Sequence, residues 1–177
     1  MAGKHTDKEK LNRTLEKVCG ILNENNIQDW FIMFGTLLGI VRENSCIQGD
    51  DDLDIMINCD YQHLRSTFEK QGFNFMVGNY GIKNPDTILK SHPTQEFGSV
   101  DFYMCNVNES GDFHTPWNRN HISNCYINSI EKSFIKHPWR NTVLNLPNDY
   151  ENKLICMYGS DWRVPQARSC KMGIPIQ

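Results

Sequence analysis

The residues best suited to catalysis or metal binding are four aspartates within five positions: Asp50, Asp51, Asp52 and Asp54. Like charges at this spacing repel one another, so a fold gains nothing from them unless a cation compensates. Asp52 and Asp54 run into the apolar residues 55–57, which predict a buried strand. Residues two apart share a face of a strand, so both carboxylates are expected to point together. Two hard oxygen ligands on a rigid strand suit Mg²⁺.

A glycine-flanked segment, Gly35 to Gly39, precedes the aspartates and is followed by Arg42. It predicts a turn that opens a helix, where backbone N–H groups and the helix dipole favour a phosphate. Gly35 and Thr36 are expected to hold that phosphate through backbone N–H groups and the Thr36 hydroxyl. Arg42 either binds phosphate through its planar guanidinium or pairs with an aspartate. Turn and aspartates together indicate metal-assisted chemistry on a phosphorylated substrate.

Other interpretations of the aspartate run were weighed. A solvated acidic loop stays open as an alternative. An EF-hand calcium loop fails on spacing, because its required glycine and glutamate would fall on Ile55 and Tyr61. Within the run, Asp50 is expected to contact the donor, and Asp51 is expected to face away from the site.

The run from 34 to 55, FGTLLGIVRENSCIQGDDDLDI, resembles the signature of the LicD and fukutin-related transferases of the nucleotidyltransferase-fold superfamily. The segment 146–165, LPNDYENKLICMYGSDWRVP, resembles the C-terminal pattern of the same family. That superfamily adds a third carboxylate on a later strand, which SVDFYM offers as Asp101. The resemblance implies that Asp52, Asp54 and Asp101 are catalytic residues and metal ligands. Asp101 is alternatively a general base on the acceptor hydroxyl.

The resemblance also implies an activity. The expected enzyme uses Mg²⁺ or Mn²⁺ to move phosphocholine or a sugar-alcohol phosphate from a CDP-linked donor to a glycan hydroxyl or small-molecule acceptor. One alternative is a nucleotidyltransferase that adds a nucleoside monophosphate from an NTP to a small molecule or nucleic acid. Another is a catalytically idle binding module that keeps the fold.

Composition limits the class of protein. With 177 residues, 39% apolar and 22% charged, the chain is expected to form one domain with its core at about 10–165 and a short tail over 166–177. A net charge of −3 makes nucleic acid an unlikely partner. No stretch approaches the ~20 apolar residues of a membrane span, and the first residues lack a signal-peptide core, so a cytoplasmic protein is expected.

The apolar pattern predicts an α/β (α+β) domain, and the resemblance implies a nucleotidyltransferase-like mixed β-sheet flanked by helices. Helices are predicted over 7–25, 36–43, 60–71 and from 147 to the residue before Gly159. Strands are predicted over 30–34, 52–58, 73–77, 87–90, 100–107, 122–127, 133–136 and 142–146. Residues 108–120 are predicted to form a polar loop.

Cysteines and histidines receive no functional assignment. The seven cysteines are odd in number and widely spaced, so neither a disulfide framework nor a local zinc site is indicated. A zinc site assembled across the fold from Cys and His stays open. The histidines that lack partners at ligand spacing along the chain are His92, His114, His121 and His137.

Overall fold

A five-stranded mixed sheet forms the centre of the computed structural model, which describes residues 7–76, 85–116 and 120–166. Its strands are β1 (Trp30–Ile32), β2 (Asp52–Ile57), β3 (Asn74–Phe75), β4 (Ile88–His92) and β5 (Ser99–Met104). They lie in the order β1-β2-β5-β4-β3. β2 and β5 are parallel, and the other neighbours are antiparallel. The predicted mixed sheet is confirmed.

Two smaller sheets follow in the chain. One has three strands, β6 (Asn106–Val107), β7 (Phe113–His114) and β8 (His121–Ile122). The other is the hairpin of β9 (Ile135–Trp139) and β10 (Thr142–Leu146). The buried Asn145 joins this hairpin to the central sheet, because its amide donates to the Trp30 carbonyl oxygen at 2.8 Å.

Four helices flank the sheets: α1 (Lys8–Glu24), α2 (Phe34–Glu43), α3 (Tyr61–Glu69) and α4 (Tyr150–Tyr158). A short 3₁₀ turn spans Pro85–Thr87. Asp60 caps α3 by accepting a hydrogen bond from the His63 N–H at 2.7 Å, as the sequence predicts. α1 packs against β2 and β10, and α3 packs against β3.

The hydrophobic core lies between the central sheet and these helices. Leu53, Ile55 and Ile57 of β2 are fully buried. On β5, Phe102 packs against Phe68 of α3, with ring centroids 4.8 Å apart. Because side chains alternate along a strand, the neighbouring residue Asp101 lies on the opposite face of β5. Packing against the core therefore fixes β2 and β5, the two strands that carry the predicted catalytic aspartates.

The boundary between the first strand and the second helix differs from the prediction. β1 ends at Ile32 and α2 begins at Phe34, whereas the sequence predicts a strand to residue 34 and a helix from residue 36. Phe34 has a φ of 48°, in the left-handed region. The chain reverses sharply here, and the Leu37 N–H already bonds to the Met33 carbonyl oxygen at 3.1 Å. Tertiary packing thus overrides the apolar pattern at this point.

The predicted polar loop over 108–120 is wrong in part, because β7 lies within it. Two-residue strands are too short to show the alternation that sequence analysis depends on. Packing reveals the strand instead, since the Phe113 ring is fully buried with its centroid 4.9 Å from that of Phe31. Val77, at the end of a predicted strand, and residues 167–177 of the predicted tail lie outside the described residues.

Among the helices within residues 7–76, 85–116 and 120–166, none has the length and apolar character needed to cross a bilayer.

Candidate active site

Strand register brings three of the predicted site residues together. Asp54 on β2 lies directly opposite Asp101 on the parallel strand β5, and Asp52 lies opposite Ser99. Asp52 and Asp54 are two residues apart on one strand, so they share a face. Asp52, Asp54 and Asp101 therefore lie on one face of the sheet, although residues 58–98 separate the two strands along the chain.

Lys90 adds a positive charge to this group. It lies opposite Asp101 on the antiparallel strand β4. Its Nζ is 2.6 Å from Asp101 Oδ2 and 3.1 Å from Asp52 Oδ2. Burial lowers the pKa of Lys90, but the charges of Asp101 and Asp52 outweigh it and raise the pKa overall. The sequence pattern predicts that a metal ion balances the negative charge of the aspartates, whereas Lys90 already balances part of that charge.

Asp54 is buried and has partners on both its side chain and its backbone. The Tyr103 hydroxyl donates to its Oδ1 at 3.2 Å, and the Thr36 hydroxyl accepts from its backbone N–H at 2.8 Å. Burial raises the pKa of Asp54 well above its usual value, and the charges of Asp52 and Asp101 raise it further. A cation beside this carboxylate would reverse that effect by favouring the charged form.

Asp101 has one oxygen in use and one without a partner. Lys90 bonds to Oδ2, while Oδ1 is buried and has no hydrogen-bond partner. Burial and the charge of Asp52 raise the pKa of Asp101 to about 7, against the opposing effect of Lys90. A buried carboxylate oxygen without a partner is costly unless a donor or cation meets it. The residues present therefore fit a divalent cation that takes oxygen ligands.

Asp50 and Asp51 lie beside this site. Carboxylate oxygens of Asp50, Asp51 and Asp52 all lie within 4.8 Å of one another. Burial and the charge of Asp52 raise the pKa of Asp50 to about 6. The expectation that Asp51 faces away is therefore wrong, because its carboxylate lies beside those of Asp50 and Asp52. Asp51 precedes the first residue of β2, so the alternation of a paired strand does not fix its direction.

Gly35 allows Asp50 to approach the start of α2. A Cβ at position 35 would lie only 2.7 Å from Asp50 Oδ2. The glycine therefore makes room for a carboxylate at a helix N-terminus, where the dipole favours a negative charge. The structure brings these two predicted substrate-binding residues together.

Thr36 is placed differently from the expectation. Its side chain is 1% exposed, and its hydroxyl oxygen accepts the Asp54 N–H. A buried hydroxyl engaged in this way positions the aspartate strand against α2. We therefore assign Thr36 a positioning role in place of the expected contact between its hydroxyl and the donor phosphate.

Arg42 lies in the last turn of α2. Its guanidinium forms an ion pair with Glu43, and NH1 donates to the Trp162 carbonyl oxygen at 3.5 Å. Among its hydrogen bonds and ion pairs to described residues, none joins it to an aspartate. Arg42, Tyr158 and Trp162 line a small cavity between α2 and the chain after α4. Of the two predicted roles, pairing with an aspartate is not seen.

Sequence reasoning missed Lys90 as a member of the site. The residue lies in a short predicted strand, but its facing partners come from strands separated from it by about ten and forty residues. A lysine that directly follows two apolar residues in the short strand ILKSH is the one local signal. That signal identifies neither partner without the strand order.

The sequence matches the profile of a known protein family. The sequence profile of the LicD/FKTN/FKRP nucleotidyltransferase domain matches residues 27–149. The chain belongs to this family. The matched segment of the LicD-family chain contains α2, all the aspartates discussed and Lys90.

Solved structures show that the fold is nucleotidyltransferase-like. One is the lincomycin-bound lincosamide antibiotic adenylyltransferase LnuA, with a TM-score of 0.53 and 13% identity over 82% of each chain. Another is the antibiotic-resistance factor ANT(2'')-Ia, with a TM-score of 0.53 and 11% identity over 79% of this chain and 66% of that one. A search of curated proteins gives no significant match. At these identities the likeness supports the fold alone.

Proposed function

We propose that this LicD-family domain is a Mg²⁺-dependent transferase that moves a phosphorylated group from a CDP-activated donor to a glycan hydroxyl. Phosphocholine and sugar-alcohol phosphates are the groups that membership of the family favours. The observation that carries the proposal is the Asp54–Asp101 pair on adjacent parallel strands, with a buried Asp101 oxygen lacking a partner.

Asp52, Asp54 and Asp101 would hold the cation. When bound, a divalent ion neutralises charge on donor phosphates and on the leaving group. The N-terminus of α2, beside Gly35 and Asp50, offers backbone N–H groups to a donor phosphate. Lys90 supplies a further positive charge on the same face of the sheet.

The transfer itself is an in-line displacement. The acceptor oxygen attacks the phosphorus that bears the transferred group, the bond to CMP breaks, and CMP leaves with the electron pair. Asp101 takes the hydroxyl proton in the version of the mechanism that uses it as a base. In that version Asp52 and Asp54 would hold the ion and Asp101 would not ligate it, because a bound cation lowers the proton affinity of a carboxylate.

A nucleotidyltransferase reaction is the second candidate. It would use the same carboxylates but break the α–β bond of an NTP. The shared fold with the adenylyltransferase LnuA favours testing it. Both reactions need the aspartates, so the donor distinguishes them.

The test is turnover of CDP-choline, CDP-ribitol, CDP-glycerol and NTPs with and without Mg²⁺. Asp52→Asn and Asp54→Asn should each lower turnover by about 10²–10³-fold or more, as loss of a preorganised electrostatic contact does elsewhere. Asp86→Asn is the matched control, because Asp86 is an exposed carboxylate on the 3₁₀ turn. CMP release from a CDP donor supports the first candidate, and pyrophosphate release supports the second.

Two results would contradict the proposal. Undiminished turnover in both aspartate variants would overturn the metal mechanism. Calorimetric binding of Mg²⁺ and a CDP donor with no turnover of any donor, in the presence of candidate glycan acceptors, would instead identify an idle binding module.

A further inference from the structure

A second group of ligating side chains lies on the β7–β8 hairpin, away from the aspartates. It consists of Asp112, His114 and His121, each with a ligand atom within 4.8 Å of the others. The sequence gives these histidines no partner at ligand spacing, because seven residues separate them. Strand pairing corrects this, since His114 and His121 lie directly opposite each other on antiparallel strands.

The three side chains converge on one face of the hairpin. The imidazole rings lie face to face, with centroids 4.2 Å apart and planes at 18°. Asp112 precedes His114 by two residues, and its Oδ2 is 3.4 Å from His121 Nε2. Two imidazoles and one carboxylate thus meet within a small volume. An imidazole nitrogen ligates a metal in the plane of its ring, so one of the two stacked rings must turn about its side-chain bonds for both to share an ion.

One of these nitrogens is without a hydrogen bond. His121 Nε2 is buried and has no hydrogen-bond partner. Its 3.4 Å separation from Asp112 Oδ2 exceeds the usual N–H···O range of about 2.7–3.2 Å. A tetrahedral zinc ion with metal–ligand bonds of about 2.1 Å separates its ligand atoms by about 3.4 Å. The observed separation matches this distance between two ligand atoms of one ion.

Other contacts hold the carboxylate in place. Asp112 Oδ1 accepts the Asn124 N–H at 2.8 Å, and Oδ2 accepts from the Asn108 side-chain amide at 3.0 Å. Hydrogen bonds behind a ligand orient it and are typical of metal sites.

We propose that Asp112, His114 and His121 bind Zn²⁺ or a similar borderline divalent ion. Imidazole nitrogens favour such ions over Mg²⁺, which prefers oxygen ligands. Three protein ligands leave a position for water.

The proposed role is structural. His114 pairs with Asn106, which comes two residues after the last residue of β5, Met104. Five residues of extended chain at ~3.3 Å each place it roughly 15 Å from Asp101. The ion would join β8 to the loop of Asn108 and Asp112 without touching the carboxylates of the active site.

The test is Zn²⁺ binding by calorimetry and Co²⁺ visible absorption on chelator-treated protein. The parent should bind Zn²⁺ with a micromolar or lower Kd, and Zn²⁺ at a hundredfold excess over Kd should raise Tm by roughly 5–10 °C. His114→Ala and His121→Ala should each lose the Co²⁺ bands and at least tenfold in affinity. Asp112→Asn keeps an oxygen for the Asn124 N–H and should also bind at least tenfold more weakly.

His63→Ala is the control, because His63 is exposed on α3. The double variant Asp52→Asn/Asp54→Asn should keep the full Zn²⁺ response, which separates this site from the active site. His114→Gln replaces His114→Ala if the latter melts at a lower temperature without metal. The proposal is overturned if the parent shows no Zn²⁺ binding or Tm response, or if the histidine variants bind Zn²⁺ as the parent does.

Discussion

Replacing Lys90 by methionine tests whether the active site holds its own counter-ion. Methionine keeps most of the aliphatic stem and removes the ammonium group that lies 2.6 Å from Asp101 and 3.1 Å from Asp52. At about 3 Å and an effective dielectric constant of about 20, each contact is worth roughly 5 kcal/mol before desolvation. Removing one partner of a buried pair costs about 3–5 kcal/mol in measured cases.

The expected loss lies at the lower end of that range. The Lys90 side chain is 28% exposed, and Asp101 has a pKa raised to about 7, so it relieves part of the charge by taking up a proton. We expect metal-free Lys90→Met to lose about 3 kcal/mol in the free energy of unfolding near neutral pH, or roughly 10 °C in Tm. The loss should shrink toward pH 5, where protons replace the lysine.

The response to metal should change in the opposite direction. In the parent, a divalent cation must displace an ammonium group from two carboxylates, whereas in the variant it meets no competitor. Mg²⁺ should therefore raise the Tm of Lys90→Met by more than that of the parent. Urea unfolding and thermal melts across a Mg²⁺ series measure both effects.

Lys136→Met is the matched control. Lys136 also lies on a strand, but its Nζ contacts the Asn145 amide oxygen at 2.7 Å and meets no carboxylate among its described contacts. Its metal response should equal that of the parent. If Lys90→Met keeps the parent's metal-free stability and Mg²⁺ response, the lysine does not balance the aspartates and the electrostatic argument is refuted.

Three further predictions concern residues around the cluster. Without metal, the free energy of unfolding should rise as pH falls from about 7 toward about 4. The reason is that the pKa values of Asp50 and Asp101 are raised in the folded state, which therefore binds more protons than the unfolded chain. Urea titrations at several pH values measure how the free energy of unfolding depends on pH. Asp50→Asn should reduce the rise in that free energy between pH 7 and pH 4 by up to about 3 kcal/mol. The same pH dependence in Asp50→Asn and the parent would show that Asp50 is not desolvated. Gly35→Ala should displace Asp50 from the start of α2 and weaken binding of a CDP-linked donor in calorimetry. Gly20→Ala, whose added Cβ meets nothing within 4 Å, should keep the donor affinity and stabilise the protein by up to about 1 kcal/mol. Equal donor affinity in both variants would contradict the clash. Thr36→Val should lower the free energy of unfolding by about 1–3 kcal/mol in chemical denaturation, because the buried Asp54 N–H loses its acceptor. Thr36→Ser keeps the hydroxyl and should keep most of that stability. Equal losses in both variants would rule out the hydroxyl as the cause.

Much of the local structure follows from short stretches of sequence. The spacing of Leu11, Leu15 and Leu22 predicts α1, and Asp60 identifies the start of α3. Asp52 and Asp54 alternate with apolar residues, which predicts both β2 and the shared face of the two carboxylates. These features depend on contacts between residues near in sequence, so their periodicity is visible in the chain alone.

Strand order and register decided the rest. Asp101 meets Asp54 only because β5 lies parallel to β2, and Lys90 enters the site only because β4 lies antiparallel on the other side of β5. The same reason applies to His114 and His121, which are adjacent through pairing and not through spacing. No periodicity encodes which strands become neighbours, because that choice depends on how the whole apolar surface is buried. Short-range sequence patterns therefore predicted the four helices and the aspartate strand, whereas the pairing of distant strands placed Asp54, Asp101 and Lys90 face to face, because burial of the whole apolar surface selects which strands pair.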